Sequence, residues 1–541
     1  MMSVIIVVAI VCFFVAYKYY GAWLSKYFLS DKDEEMPSVY LRDDMDYFPS
    51  PVSILFAHHF SSIAGAGAIV GPVAAGAMFG WVPALLWLVL GCIFVGGVHD
   101  LSALAVSLKY DGLSIAEVVQ RILGRKVQMF FLAFAWIFLV LVVASFLDIT
   151  AVTFTEAPEV GFTVVLTVVA AFILGIGVYV FHISLRNATL FLTPFFFYAL
   201  YYGANNVNIF RMFDLPLNYW RVALVGYCYL ASVLPLWLLM EPRDYIASFF
   251  LYAGIFLGVV GMFVTGTQMQ VSMLEPFRGW NSISGNSYLW PMLFITIACG
   301  AVSGAHSMIS SGTTPKQLAK KEQALSVGYG SMLLEGVVGV IALGTVMLNG
   351  DFIAHAPLNC FAVGFGRMLE YLGIEHHLGN IFGFMVINCF VLTTLDTVAR
   401  IGRYLLQELT HNRLSSFMAT SLTLLAALGL MVLENDGKRM WEVFWPAFGA
   451  INQLVAGMTL LVVFLWLVMN KFKKTQFVFY PTVFMLATSL AALFLLVVNN
   501  DFWFIRVVSV LFIALTAYFM WLVHCKINLV QVIKDYMKKG E

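Results

Sequence analysis

Apolar runs long enough to cross a bilayer recur along the whole chain, separated by short polar or charged stretches. A transmembrane helix needs about 20 such residues for a hydrocarbon core of roughly 30 Å. Bounding the runs by charge, glycine or proline predicts spans over 3–23, 52–79, 81–108, 127–148, 160–181, 188–205, 221–241, 244–266, 290–311, 325–348, 380–400, 414–433, 441–470, 476–498 and 502–524. That makes about 15 transmembrane helices, of which 188–205 ("ATLFLTPFFFYALYYGAN") is polar-aromatic rather than aliphatic. The longest stretches between spans, about 24–50 and 349–379, are loop-sized, so no large soluble domain fits between the spans. Ser114–Arg125 ("SIAEVVQRILGR") reads as a short amphipathic helix on the cytoplasmic face.

Lys and Arg should alternate between successive loops if the count is right, with the excess inside. With the N-terminus outside, the cytoplasmic segments hold 22 of them and the outer loops six, while Lys18 and Arg506 fall within spans. The split predicts a periplasmic N-terminus and a cytoplasmic C-terminus. The first apolar stretch, Val4–Tyr17, lacks a basic leader and an A-x-A site, so it reads as a retained helix.

Two spans are interrupted. Unpaired backbone groups are costly in lipid, so glycine and proline clusters at membrane depth face protein, water or a ligand. Residues 52–79 carry Gly65, Gly67, Gly71 and Pro72, preceded by His58, His59, Ser61 and Ser62. Glycine alone is equally consistent with a close helix contact; ionisable and hydroxyl groups at the same depth favour a site. In "GYCYLASVLPLWLLMEPRDY", residues 226–245, Ser232 and Pro235 fall mid-span, and Glu241, Pro242, Arg243 and Asp244 close it. Counting from the first broken span, this is the sixth, so it crosses in the opposite direction. That spacing predicts an all-α polytopic fold with a five-plus-five inverted-repeat core, of the amino acid–polyamine–organocation or leucine-transporter-like kind, binding its substrate near the midplane. The expected division is an N-terminal helix and loop (1–50), repeat 1 (51–210), repeat 2 (211–410) and four accessory helices (411–541).

Composition narrows the function. The chain has 541 residues, is 61% hydrophobic and 11% charged, and has a mean hydropathy of +0.89, so its medium is the lipid bilayer. Lys plus Arg equals Asp plus Glu at 30 each, which excludes the basic surplus that nucleic-acid binding needs. The seven cysteines form no CxxC pair and read as small apolar residues. No GxxxxGK[ST], HExxH or GxSxG motif occurs, so neither ATP hydrolysis nor the common hydrolase chemistries fit, and the chain reads as a non-enzyme. A secondary transporter fits better than a metabolite sensor, because alternating access requires paired inverted breaks and sensing does not.

Five long stretches, "HHFSSIAGAGAIVGP", "ASVLPLWLLMEPRDY", "VSGAHSMISSGTTPKQ", "LTTLDTVARIGRYLLQE" and "WPAFGAINQLVAG", strongly resemble the carbon starvation protein A family, in the same order. The resemblance implies a bacterial inner-membrane transporter of peptides, or of pyruvate with a proton, and a compact member whose tail after Gln453 is short. The chain departs from the family pattern at Ala68, where proline is common, and at His99, where glutamine is common before aspartate.

The candidate chemistry follows from residue type. A half-helix beginning near Gly67 would offer free N–H groups to a substrate carboxylate, with His58, His59, Ser61, Ser62 and Gly65 around it. Ser232, Pro235 and Trp237 would form the opposing wall, Trp237 either stacking on substrate or simply packing. Proton coupling needs a group that titrates near neutrality, for which His59, His99, Asp100, His306 and Glu335 are the candidates. Adjacent residues point about 100° apart on a helix, so His58 and His59 cannot both face one cavity. Ser303, Ser307, Ser310 and Ser311 offer hydroxyls for sodium, or bond their own backbone instead. His59, His99, Asp100 and His306 would also suit a divalent metal, though no ligand-spacing motif supports one and no cofactor is required. Glu241, Arg243 and Asp244 read as a gate or helix junction, and Asp396 with Arg400 as an i, i+4 ion pair. Asn452 and Gln453 are expected to stitch helices together.

Overall fold

All fifteen apolar segments contain a helix in the computed structural model, which describes residues 1–29, 35–205, 213–268, 274–281, 287–348, 357–431 and 440–538. In chain order these are α1 (Met2–Phe28), α2 (Val52–Ile63), α3 (Gly67–Phe79), α4 (Trp81–Leu108), α5 (Ile115–Leu123), α6 (Arg125–Glu156), α7 (Pro158–Tyr179), α8 (Leu185–Asn205), α9 (Leu217–Val233) and α10 (Met240–Gln268). They continue with α11 (Leu289–Thr296), α12 (Gly304–Gly312), α13 (Leu325–Met347), α14 (Pro357–Glu370), α15 (His376–Leu409), α16 (Ser416–Met431), α17 (Met440–Met469), α18 (Gln476–Asn499) and α19 (Trp503–Lys538). Among the described residues there is no strand, only two isolated bridges.

Ten of these helices are long and apolar enough to cross a membrane, or eleven with the bent α2–α3 pair counted as one span. The remainder fall short for visible reasons. α8 is interrupted by polar residues, α9 and α16 have 17 and 16 residues, and 290–311 is not one helix but two short ones. Part of 349–379, expected to be loop, forms α14. The short helix expected over 114–125 is α5, and Ser114 caps it with a reciprocal Ser114–Glu117 capping box. Lys32, Arg211, Lys438, Arg439 and Lys539, on which the orientation partly depends, lie outside the described residues.

Burial separates the centre from the rim. The apolar window of α15 is 100% buried and that of α13 89%, against 33% for α1 and 28% for α19, so the first two form the middle and the last two face outward. At 1.5 Å per residue, the 34-residue α15 is about 51 Å long, well beyond the bilayer core, and it packs along the 32-residue α6.

Only one of the two interruptions falls where sequence alone puts it. The first is as expected: α2 and α3 meet at a 41° bend across Ala64–Ala66. Pro235, however, does not break a span. It lies in the turn Leu234–Leu239 that joins α9 to α10. The second interrupted helix is instead α11–α12, unwound over Ile297–Ser303, where no proline marks the sequence.

Candidate functional site

The two interruptions cross each other. A Cβ on Gly67 would lie 2.6 Å from Cys299 Sγ, and one on Gly71 2.6 Å from the Thr296 carbonyl oxygen, so only glycine permits this approach. The N-terminus of α3, expected to cradle a carboxylate, is here covered by Cys299.

Backbone groups released by each break are taken up by side chains from distant helices. At the first, the Ser62 carbonyl accepts from Thr394 Oγ1 at 2.9 Å, and the Ile63 carbonyl from His306 Nε2 at 3.0 Å. At the second, Asn452 Oδ1 accepts from Ser303 Oγ at 3.0 Å and from the Ala305 amide at 3.2 Å, while Cys92 Sγ donates to the Gly300 carbonyl at 3.0 Å. Gln453 donates to the Phe294 carbonyl one turn earlier. Lipid would offer none of these partners.

Two buried charge networks flank α2. In one, His306 Nδ1 faces Asp100 Oδ2 at 3.1 Å, Asp100 Oδ1 faces His99 Nδ1 at 2.7 Å, and Glu335 lies 3.6 Å from His306 Nε2. Both His306 nitrogens point at acceptors, an arrangement satisfied only when both carry a proton. In the other, His58 Nδ1 meets Asp244 Oδ2 at 2.6 Å, Arg243 pairs with Asp244 and, at 3.2 Å, with Asp396 Oδ2, and Tyr227 donates to Asp396 Oδ2 at 2.6 Å. Thr393 bridges Arg243 and Asp244 at 2.8 and 3.1 Å. Glu241 stands beside it, held by Ser50 at 2.7 Å and Tyr179 at 3.0 Å.

A latch closes one end of the bundle. The Ser50 amide bonds the Gln317 carbonyl at 3.0 Å and the Phe48 amide bonds that of Lys316 at 3.1 Å, fixing the segment before α2 against the one after α12. Asp46, on this segment, accepts from Arg400 Nη2 at 3.0 Å and from the Tyr404 hydroxyl. Burial pushes the Asp46 carboxyl up, but Arg400, the Tyr404 hydrogen bond and Lys316 outweigh it and hold it below the ordinary aspartate value. Arg400 also donates to the Leu234 carbonyl at 2.6 Å and that of Ala231 at 3.3 Å, capping α9.

Several sequence expectations are redirected by this geometry. His58 and His59 do diverge: His59 Nδ1 bonds Thr314 Oγ1 at 2.7 Å, away from Asp244. Asp396 and Arg400 are not partners, because each finds a stronger one across a helix interface, Arg243 and Asp46 respectively. The wall opposite Gly67 is Cys299, not Ser232–Trp237. Ser232 meets Thr420 at 3.3 Å, and the Trp237 ring packs against Tyr179 at 5.6 Å. Ser61 returns its hydroxyl to the Ala57 carbonyl at 2.7 Å, and Ser62 meets Thr397 at 3.1 Å. Ser303 precedes α12 in extended conformation and bonds Asn452; Ser307 and Ser311 bond the Gly304 and Ser307 carbonyls at 2.7 and 2.6 Å. Of the four hydroxyls proposed for sodium, Ser310 alone has no partner among the described residues. Also among the described residues, no group of three or more His, Cys, Asp or Glu is arranged to hold a metal ion, since His59 turns to Thr314 and the Asp100 oxygens are taken by His99 and His306.

The five sequence stretches are thus joined through α2, α12 and α15, and the family profile described as carbon starvation protein CstA matches residues 1–354 and 349–492. The chain belongs to the CstA family. The peptide transporter CstA of Escherichia coli K12 is 31% identical, over 90% of this chain and 80% of its own. That of Campylobacter jejuni is 29% identical over 90% and 79%, and the pyruvate/proton symporter BtsT of E. coli K12 29% identical over 88% and 79%. Among solved structures, a mutant of the Eremococcus coleocola manganese transporter superposes with a TM-score of 0.49 at 12% identity, covering 90% of this chain and 98% of that one.

In this CstA-family protein the residues that sequence reasoning passed over lie mostly on α15. Thr393, Thr394 and Thr397 all reach the first break or the Arg243 network, beside Asp396, which the sequence pairs with Arg400 instead, and Tyr227 joins them from α9. Their signal was present in "LTTLDTVARIGRYLLQE", where three threonines and an aspartate interrupt an apolar run within five positions.

Proposed function

We propose that this CstA-family protein is a proton-driven secondary transporter of the bacterial inner membrane that imports short peptides or a small carboxylate such as pyruvate. The observation that carries the reading is the crossing of two unwound helices, at Gly67 and Cys299, between two buried histidine–carboxylate networks. Broken helices whose freed groups are held by exchangeable side-chain bonds are suited to alternating access, and intramembrane acids and histidines are suited to carrying protons. The names of the E. coli relatives, a peptide transporter and a pyruvate/proton symporter, support both halves.

The order of elements supports an inverted repeat whose second unit begins at Leu289 rather than near residue 211. A broken pair, a long apolar helix, a short helix and a very long helix follow one another twice, as α2–α3, α4, α5, α6 and again as α11–α12, α13, α14, α15. If α8 and α9, which the apolar pattern reads as spans, cross together with α4, α6, α7 and α10, six crossings separate the breaks and the second broken helix runs opposite to the first. An N-terminus outside and a C-terminus inside follow from the charge distribution.

The test is uptake into proteoliposomes of pyruvate and of di- and tripeptides, under an imposed pH gradient and then a sodium gradient. Accumulation of one solute class under the pH gradient alone is expected. Accumulation under the sodium gradient alone would transfer the coupling to sodium, and none under either would end the transporter reading.

A further inference from the structure

Arg243 is 2% exposed and faces two carboxylates, Asp244 and Asp396, deep among α2, α9, α10 and α15. The two acids are not equivalent. Asp244 is bound by Arg243, His58 and Thr393, with both oxygens occupied. Asp396 has Arg243 and Tyr227 on Oδ2 and nothing on Oδ1 among the described residues, although it is fully buried. The guanidinium is likewise incomplete: its Nε–H is buried and unpartnered. Arg243 lines a small, mainly apolar cavity together with Val164, Thr167, Ala247, Asn388 and Leu392. A buried guanidinium with a spare donor and an under-bonded carboxylate beside it, next to a small cavity, are suited to a planar anion.

We infer that Arg243 is the carboxylate-binding group of the substrate site and that Asp396 is the acid its substrate displaces. The exchange balances: a proton adds to Asp396 as the substrate carboxylate takes its place on Arg243, so one positive charge enters with one negative and the buried charge is unchanged. Desolvation makes any other sequence costly, because a second unneutralised carboxylate at Arg243, or a bare guanidinium after release, would be left in the interior. The groups facing Asp396 are His58 from α2, Tyr227 and Cys228 from α9, and Arg243 and Asp244 from α10, with Glu241 one turn away. His58 holds Asp244 in place, which leaves Asp396 to move. A monocarboxylate would then cross with its proton as a neutral pair, whereas a zwitterionic peptide would carry a net positive charge. This rests on the transport reading above and names the substrate chemistry of that site.

The experiment uses the full chain in lipid nanodiscs, titrated with pyruvate and separately with dialanine in weakly buffered solution, with pH change and heat recorded together. Wild type should take up about one proton per ligand and lose affinity by up to about tenfold per unit rise in pH. In Asp396→Asn both the proton uptake and the pH dependence should vanish, and Arg243→Gln should weaken binding by about 10- to 100-fold. Because Arg243→Gln strands two buried acids, Arg243→Gln with Asp244→Asn provides a charge-balanced second variant, and the comparison of wild type with Asp396→Asn decides the matter without either. Proton uptake retained in Asp396→Asn, wild-type binding without a proton, or no binding of either probe overturns the inference. Proton-linked binding without accumulation in proteoliposomes would remove the transporter reading and leave the site; accumulation with unlinked binding would do the reverse.

Discussion

His306 does two jobs with one ring. Its Nε2 closes the Ile63 carbonyl and its Nδ1 closes Asp100, so a side chain whose donors sit on a single nitrogen does not reach both acceptors. His306→Gln is expected to leave one buried acceptor open, at a cost of about 1–3 kcal/mol, read as a lowered melting temperature in detergent. Thr394→Val should cost a similar amount, about 1–3 kcal/mol, by stripping the Ser62 carbonyl, while Thr394→Ser retains the donor and the stability. An undiminished melting temperature for Thr394→Val would show that the break needs no such cap. Only part of this was legible in the chain. The glycine, histidine and serine cluster before Pro72 announces a break because glycine and proline act locally. The partners of that break do not announce themselves, since Ser62 and Thr394, or His58 and Asp244, are more than 180 positions apart. Asp396 and Arg400 show the same limit: spacing makes them neighbours on one helix face, but a buried charge bonds to whichever opposite charge the packing brings nearest.

At the scale of elements, the misplaced second break has a physical reason. Pro235 is conspicuous, yet proline serves equally well in a turn between helices, and there Arg400 caps the α9 carbonyls from outside. The true break, in "ACGAVS", contains small apolar residues that are compatible with a helix; it unwinds because α17 supplies Asn452 and Gln453 as substitute partners. Asn452→Ala is therefore expected to speed amide hydrogen exchange across 297–305 with little effect on α17 itself. Equal protection in the variant would mean that the unwinding is set elsewhere. The latch segment makes a prediction about pH. Because the folded Asp46 carboxyl sits below the ordinary value of about 3.9, its bonds to Arg400 and Tyr404 are fully present above that value and are lost as pH falls through the lower folded value. Asp46→Asn should thus loosen residues 41–50 at neutral pH, seen as faster exchange, without altering the shape of an uptake profile between about pH 5 and 8.

For the molecule as a whole, the apolar composition alone established a helical membrane protein, and the family follows from five stretches scattered over some four hundred positions. What composition does not reveal is that these stretches converge on the long central helix. α15 carries Thr394 on the first break, Asp396 on Arg243 and Arg400 on the latch, all within two turns. A modest rotation or slide of such a rod would disengage the break, Arg243 and the end closure in one stroke. Spin labels along its exposed end would then register substrate, proton and gate as a single displacement, so that the coupling in this carrier would be written in the stiffness of one helix.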